Sequence, residues 1–179
     1  MKLYVARHGQ TNYNDLGLYS ADPAADVHLT EVGLEQVKNL SEKLKDVNID
    51  HIFVSELKRT GQTADIVNKY HNAPTAVDAR LNDNRSGYEG KHYLEYYAAL
   101  DAADDKWSVR FNDGESLKDV KERVRSFLDE LKTKDYDSVL VVTSMVIVQT
   151  IYGILNGLSN QEAWDFQVEK ASCIELNLS

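Results

Sequence analysis

The sequence predicts an α/β fold, a three-layer α/β/α sandwich with a mostly parallel central sheet, on three observations. Short apolar runs recur at Leu3 to Ala6, His51 to Val54 and Val139 to Val142. Stretches with helical apolar spacing lie between them, and a final segment, Cys173 to Leu178, alternates in character. A run that is apolar at nearly every position suits a strand covered on both faces, which is the setting of parallel strands under helices.

Each element has its own signal. The first run begins near the N-terminus and ends at Arg7-His8. After Thr30, the residues Leu34, Val37, Leu40 and Leu44 recur at three- and four-residue intervals, which puts them on one helix face. His51 to Val54 reads as the second strand, followed by a helix carrying Leu57, Ala64, Val67 and Tyr70. Val120, Val124, Phe127, Leu128 and Leu131 mark a third helix, opened by Ser116 with Asp119 three residues on, a capping-box spacing with the shorter acid. Val139 to Val142 is the third strand. Asn156-Gly157 supplies a stop between the third helix and a later one, opened by Ser159 with Glu162. In the last segment Glu175 and Asn177 face away from their apolar neighbours, as in a half-exposed edge strand. Only Pro23 and Pro74 punctuate the chain, and no repeat or linker divides it, so residues 1–179 read as one domain.

Composition narrows the partners. Asp and Glu number 29 against 20 Lys and Arg, a net charge of −9, which opposes the phosphate-backbone attraction of nucleic-acid binders. The longest apolar stretch, Val139 to Val148, is broken by Thr143 and Ser144, and the N-terminal run is shorter still, so neither a bilayer span nor a signal peptide is expected. The lone Cys173 allows no internal disulfide and no cysteine-rich zinc site. These features predict a cytoplasmic protein without membrane or nucleic-acid partners, and they carry no signal for an oligomeric state.

Ligands of an open α/β sheet bind beyond the carboxyl ends of its strands. The three predicted ends deliver Arg7-His8-Gly9-Gln10-Thr11, then Ser55 with Arg59 one helical turn on, then Thr143-Ser144. Arg7 and Arg59 are suited to a phosphate group, because planar guanidinium groups bind its oxygens bidentately and stay charged. His8, set between two cations in a surface cleft, is expected to be neutral and available as a nucleophile. Gly9 would let the backbone approach the anion, while Thr11 and Asn14 could donate hydrogen bonds to it. An isolated Arg-His pair is more often an ordinary polar turn; it is the surrounding constellation that raises its weight.

That constellation is Arg7-His8-Gly9-Gln10-Thr11 with Asn14, Leu29-Thr30 with Gly33 and Gln36, Ser55-Glu56-Leu57-Lys58-Arg59 with Gln62-Thr63-Ala64, and Gly114-Glu115-Ser116 with Asp119-Val120 and Arg123-Val124. It resembles the histidine phosphatase superfamily, the phosphoglycerate-mutase-like group of branch 1 type, from residue 3 to about residue 150. The resemblance implies phosphoryl transfer in two steps without a metal or other cofactor. By the same match His8 is the nucleophile, and Arg7, Asn14 and Arg59 bind the phosphate of a small phosphorylated substrate. The acid falls in Leu81 to Gly90, where Asp83 takes the position of the usual Glu, with Glu89 as the fallback.

Two departures stand out. Gln10 replaces the family's usual Glu, and no second histidine follows the third strand. An ungapped comparison puts Ser144 at that position as a substrate contact; alternatively a small deletion lies between Ser144 and Met145. A hydroxyl supplies no positive charge, and one such electrostatic contact is commonly worth about 2.7–4 kcal/mol. His28, His51 and His71 receive no catalytic role, with His71 read as suiting a helix C-terminus. His92, with Tyr93, Tyr96, Tyr97 and Trp107, falls in a small cap region of about residues 84–113. The implied function is a phosphomonoester phosphatase acting on small phosphorylated metabolites through a phosphohistidine. The alternatives are a phosphoglycerate mutase-type isomerase and a catalytically impaired phosphate-ligand-binding protein. Gly90 to Gly114 leaves room for one small helix, which favours the hydrolase.

Overall fold

The computed structural model describes residues 1–179. Five strands form one sheet: β1 (Lys2–Arg7), β2 (His51–Val54), β3 (Thr75–Val77), β4 (Ser138–Thr143) and β5 (Cys173–Asn177), in the order β3-β2-β4-β1-β5. The first four are mutually parallel and β5 runs antiparallel along β1. Arg7 stands opposite Thr143, and Val54 opposite Val142, so the carboxyl ends of β1, β4 and β2 share one rim. The expected mostly parallel sandwich is the observed fold.

Alternate strand residues feed two cores. Leu3, Val5, Val139 and Val141 pack with Val120, Val124, Phe127 and Leu131 of α5 (Leu117–Leu131) and with Ile147 and Ile151 of α6 (Met145–Leu155). Tyr4, Ala6, Ile52, Val54, Leu140 and Val142 pack on the other face with Val37, Leu40 and Leu44 of α2 (Glu31–Leu44) and Ala64 and Val67 of α3 (Lys58–Asn68). Period-2 side-chain alternation under two helix layers is what makes these strands apolar throughout.

The remaining helices are short: α1 (Asn12–Leu16), α4 (Tyr93–Asp101) and α7 (Asn160–Asp165). Ser116 and Ser159 close the capping boxes expected with Asp119 and Glu162, and Gly157 takes the left-handed conformation (φ 64°) that ends α6. Residues 84–113 do not stand apart from the core: Tyr96 and Leu100 of α4 are buried in the same cluster as Leu3 and Val5. No helix is long and apolar enough to cross a membrane.

Gly9 is also required by packing. A Cβ there would lie 2.7 Å from the Gly33 carbonyl oxygen and 2.8 Å from Val37 Cγ2. At Gly33 a Cβ would meet the Gln10 carbonyl oxygen at 2.0 Å. The two glycines therefore let the loop after β1, which begins at His8, lie directly on α2. Gly33→Ala should lower the melting temperature by several degrees, since overpacking against backbone costs about 1–3 kcal/mol. Gly61→Ala, inside α3 with open space around its Cβ, should raise it by about 2–4 °C. Thermal unfolding of both variants checks this; a rise for Gly33→Ala would show that the loop is not seated on α2.

Candidate active site

His8 follows β1 and its backbone N–H donates to the Thr143 carbonyl (3.0 Å). Its Nδ1 lies 2.7 Å from the Gly9 carbonyl, which can only accept, so Nδ1 carries the hydrogen. Nε2 in turn accepts from Arg59 Nε at 3.1 Å. The ring is therefore the neutral Nδ1–H tautomer with its Nε2 lone pair turned to Arg59. The residue is only 5% exposed, so the open surface cleft expected for it is corrected to a buried position. Burial first, then the Arg59 charge, holds its pKa well below 6.5.

Arg59, on the first turn of α3, is buried as well. The helix start is locked by Thr60, whose Oγ1 donates to the Leu57 carbonyl (2.8 Å), and by the Ser55 hydroxyl, which accepts from Leu57 N (3.3 Å). Thr63 Oγ1 donates to the Arg59 carbonyl (2.8 Å) and accepts from Gly9 N (3.4 Å), tying α3 to the His8 loop. The Arg59 Nη2 group is shared among the Ser20 carbonyl (3.0 Å), Asp83 Oδ2 (3.3 Å) and Ser144 Oγ (3.3 Å). One guanidinium thus touches residues that follow β1, β4 and the segment after β3.

Asp83 is mostly buried, with 16% of its side chain exposed. Burial raises its pKa above the usual carboxylate value, against the opposing pull of Arg59. Its backbone is fastened by Arg123, which donates to the carbonyls of Arg80 (2.5 Å) and Asp83 (3.3 Å) while pairing with Glu115 (2.7 Å). Glu115 also accepts from Arg85 N (3.0 Å). Gly114 is needed beside them, because a Cβ there would come within 2.5 Å of the Arg85 carbonyl. These motif residues, distant from Asp83 in sequence, shape the loop that presents it.

Arg7 spends Nη1 on the Val168 carbonyl (2.5 Å), while its Nε is buried without a hydrogen-bond partner. The Ser20 hydroxyl is likewise buried and unpartnered. Both residues line a cavity of about 320 Å³ with His8, Arg59 and Asp83. Unpaired donors beside a cavity are costly without a ligand to accept from them. Asn14 is on the same wall; its Oδ1 accepts from Thr11 N (3.1 Å), which leaves the amide NH₂ to donate. Ser144 is 1% exposed and reaches the site through Arg59, the wall there being Met145 and Val146. The turn from β4 into α6 is Ser144 alone.

Other sequence candidates are settled elsewhere. Glu89 accepts from Ala21 N (2.7 Å) and does not line the cavity. His92 caps α4 by accepting from Leu94 N (3.3 Å), with its Nε2 against Gly17. His71 lies just past α3, where burial lowers its pKa, so the helix-end charge expected for it is not favoured. His51 stacks on Tyr136, and Gln10 donates to Asp15. Tyr93 and Tyr97 line the cavity, whereas Tyr96 is buried and accepts at its hydroxyl from Asn84 Nδ2 (2.9 Å). Trp107 packs edge-on against Trp164. Sequence reading missed Tyr19, Ser20 and Lys170 on the cavity wall. They sit in irregular segments whose path to the rim no periodicity reveals.

A neutral buried imidazole, two guanidinium groups and a carboxyl group whose pKa burial raises meet at the carboxyl rim of a parallel sheet, an arrangement suited to a phosphate group. The chain belongs to the histidine phosphatase superfamily, branch 1, whose family model matches residues 3–179. It is 30% identical over 189 residues to the adenosylcobalamin/alpha-ribazole phosphatase of Escherichia coli, covering 99% of this chain and 91% of that one. It is 29% identical over 179 residues to phosphoserine phosphatase 1 of Hydrogenobacter thermophilus, covering 96% and 84%. The crystal structure of the alpha-ribazole phosphatase from Shigella flexneri superimposes with a TM-score of 0.87 at 28% identity, covering 99% of this chain and 90% of that one.

The His8 environment makes a spectroscopic prediction. Nitrogen-15 NMR at pH 6 should show His8 as the neutral Nδ1–H tautomer, titrating only well below 6.5. The unfolded chain takes up that proton near 6.5 and the folded chain does not, so His8 reduces stability as pH falls below about 6.5. His8→Asn should flatten that acid-side slope in denaturant melts. An imidazolium signal at pH 6 would contradict the assignment.

Proposed function

We propose that this phosphatase hydrolyses small phosphomonoesters through a covalent phosphohistidine on His8. The observation that carries the reading is the His8–Arg59–Asp83 relay: one buried guanidinium in contact with both the imidazole Nε2 and the carboxyl group. In the first step Nε2 attacks phosphorus, the ester P–O bond breaks, and Asp83 gives its proton to the leaving oxygen. In the second, water attacks phosphorus and gives up a proton to Asp83, the P–N bond breaks to free His8 Nε2, and inorganic phosphate is released. Arg7, Arg59 and the Asn14 amide hold the phosphoryl oxygens, and Ser144 positions Arg59. Charge neutralisation by the two arginines leaves this reading without need of a metal.

The substrate is a small phosphorylated metabolite. Tyr13, Tyr19, Tyr93, Tyr97, Leu18 and Val27 complete the cavity, whose volume suits a phosphate plus a compact organic group. Relatives named as phosphatases of phosphoserine and of alpha-ribazole fit that class. Hydrolysis is favoured over mutase chemistry because Gly90 to Gly114 contributes one nine-residue helix as cap, and an active enzyme over an impaired binder, despite Ser144 standing for the second histidine, because a histidine, two arginines and a carboxyl group line one cavity. A reducing, cytoplasmic setting suits the single free thiol, Cys173.

An alkaline denaturing quench of the enzyme turning over a phosphomonoester should trap a base-stable phosphoprotein that is lost on acid treatment. His8→Asn should abolish both it and turnover. Asp83→Asn should cost about 10²–10⁴-fold on an alkyl phosphate, whose leaving oxygen needs a proton, and about tenfold or less on p-nitrophenyl phosphate. Turnover by His8→Asn near the wild-type rate, or equal losses for Asp83→Asn on both substrates, would refute the respective roles. Since Asp83 acts in its protonated form, alkyl phosphate turnover should fall as pH rises through its raised pKa.

A further inference from the structure

We propose that Lys170 is a third cation of the phosphoryl site, contacting the substrate's phosphate oxygens together with Arg7 and Arg59. This rests on the phosphatase reading above and extends it to a residue outside every motif read from the sequence.

The backbone around Lys170 is stitched to the end of β1. The Val168 carbonyl accepts from Arg7 Nη1 (2.5 Å), Ala171 N donates to the His8 carbonyl (3.1 Å), and Arg7 N donates to the Ser172 carbonyl (3.0 Å). Lys170 lies inside this clamp. Ala171 takes a left-handed conformation, φ 49°, which is costly for a residue with a Cβ and persists only where the surroundings impose it. The turn so formed puts Lys170 on the wall of the cavity that holds Arg7, His8, Arg59 and Asp83.

Lys170 forms neither an ion pair nor a side-chain hydrogen bond, and the carboxylate that bears on its charge, Asp15, lies outside the cavity lining and accepts from Gln10. Partial burial and repulsion from Arg7 both disfavour its ammonium form, and its charge is felt at His8. An ordinary surface lysine avoids such a position by extending into water. Three cations here face one carboxyl group that burial biases toward neutrality, leaving an excess matched by a phosphate dianion. Its electrostatic neighbours are Arg7 and His8, the groups at the phosphorus, which favours the phosphoryl group over a remote carboxylate on the substrate.

The test compares Lys170→Met with Lys170→Arg in orthovanadate inhibition and in single-turnover phosphorylation by p-nitrophenyl phosphate, with melting curves as the check on folding. Loss of a charged hydrogen bond to the phosphoryl group should weaken vanadate and slow phosphorylation by about tenfold or more in the Met variant, and Arg should restore most of both. If Met destabilises the chain, Lys170→Gln provides the same comparison. Unchanged vanadate affinity and phosphorylation rate in a folded variant would overturn the proposal. So would unchanged vanadate affinity with a raised KM only for a carboxylate-bearing phosphomonoester, since that places Lys170 on the remote group. A wild-type enzyme that forms no phosphohistidine defeats the underlying reading, whereas wild-type phosphorylation with an indifferent Met variant defeats this inference alone.

Discussion

The site depends on burying one guanidinium. Taking an ion out of water costs several kcal/mol, a cost that excellent geometry and complete hydrogen bonding must offset. Arg59 meets that demand by donating to His8 Nε2, the Ser20 carbonyl, Asp83 Oδ2 and Ser144 Oγ. Each acceptor comes from a different segment, so the arginine registers the loop after β1, the entry to α6 and the Asp83 loop against one another. The hydroxyls of Ser55, Thr60 and Thr63 fix the helix turn that carries it.

In this arrangement Arg59 occupies the lone pair that the proposed attack on phosphorus needs. A substrate phosphate brings acceptors of greater charge, and the guanidinium can exchange an imidazole nitrogen for phosphate oxygens without leaving its pocket. The same exchange would satisfy the orphaned Nε of Arg7 and the Ser20 hydroxyl. The surrounding protein is strongly acidic, at −9, yet charges beyond about 8 Å are largely screened at physiological salt. What the substrate meets at the rim is the local excess of cations, and the net charge serves solubility more than recognition.

Much of this was legible in the residues. Strands β1, β2 and β4 announced themselves because helices cover both their faces, and the caps of α2, α5 and α7 rest on Thr30, Ser116 and Ser159, whose side chains state their role locally. Two elements were hidden for opposite reasons. The strand β3, Thr75–Val77, is a short, mostly exposed edge with no apolar run, while α6 is apolar on nearly every side and shows no helical stripe. The burial of His8 was not legible either, since it arises from tertiary contacts such as that with Arg59, which no local pattern announces. Nor was the Lys170 turn, which is set by hydrogen bonds to β1 from a segment some 160 residues away.

The most direct test of the account is a crystal structure of the enzyme with orthovanadate bound. The account predicts a trigonal-bipyramidal vanadium with His8 Nε2 at one apex and Asp83 beside the opposite apical oxygen. Arg59 should have moved from the imidazole to the equatorial oxygens. Vanadate seated away from His8, or bound at His8 with the Arg59–Nε2 hydrogen bond intact, would contradict it.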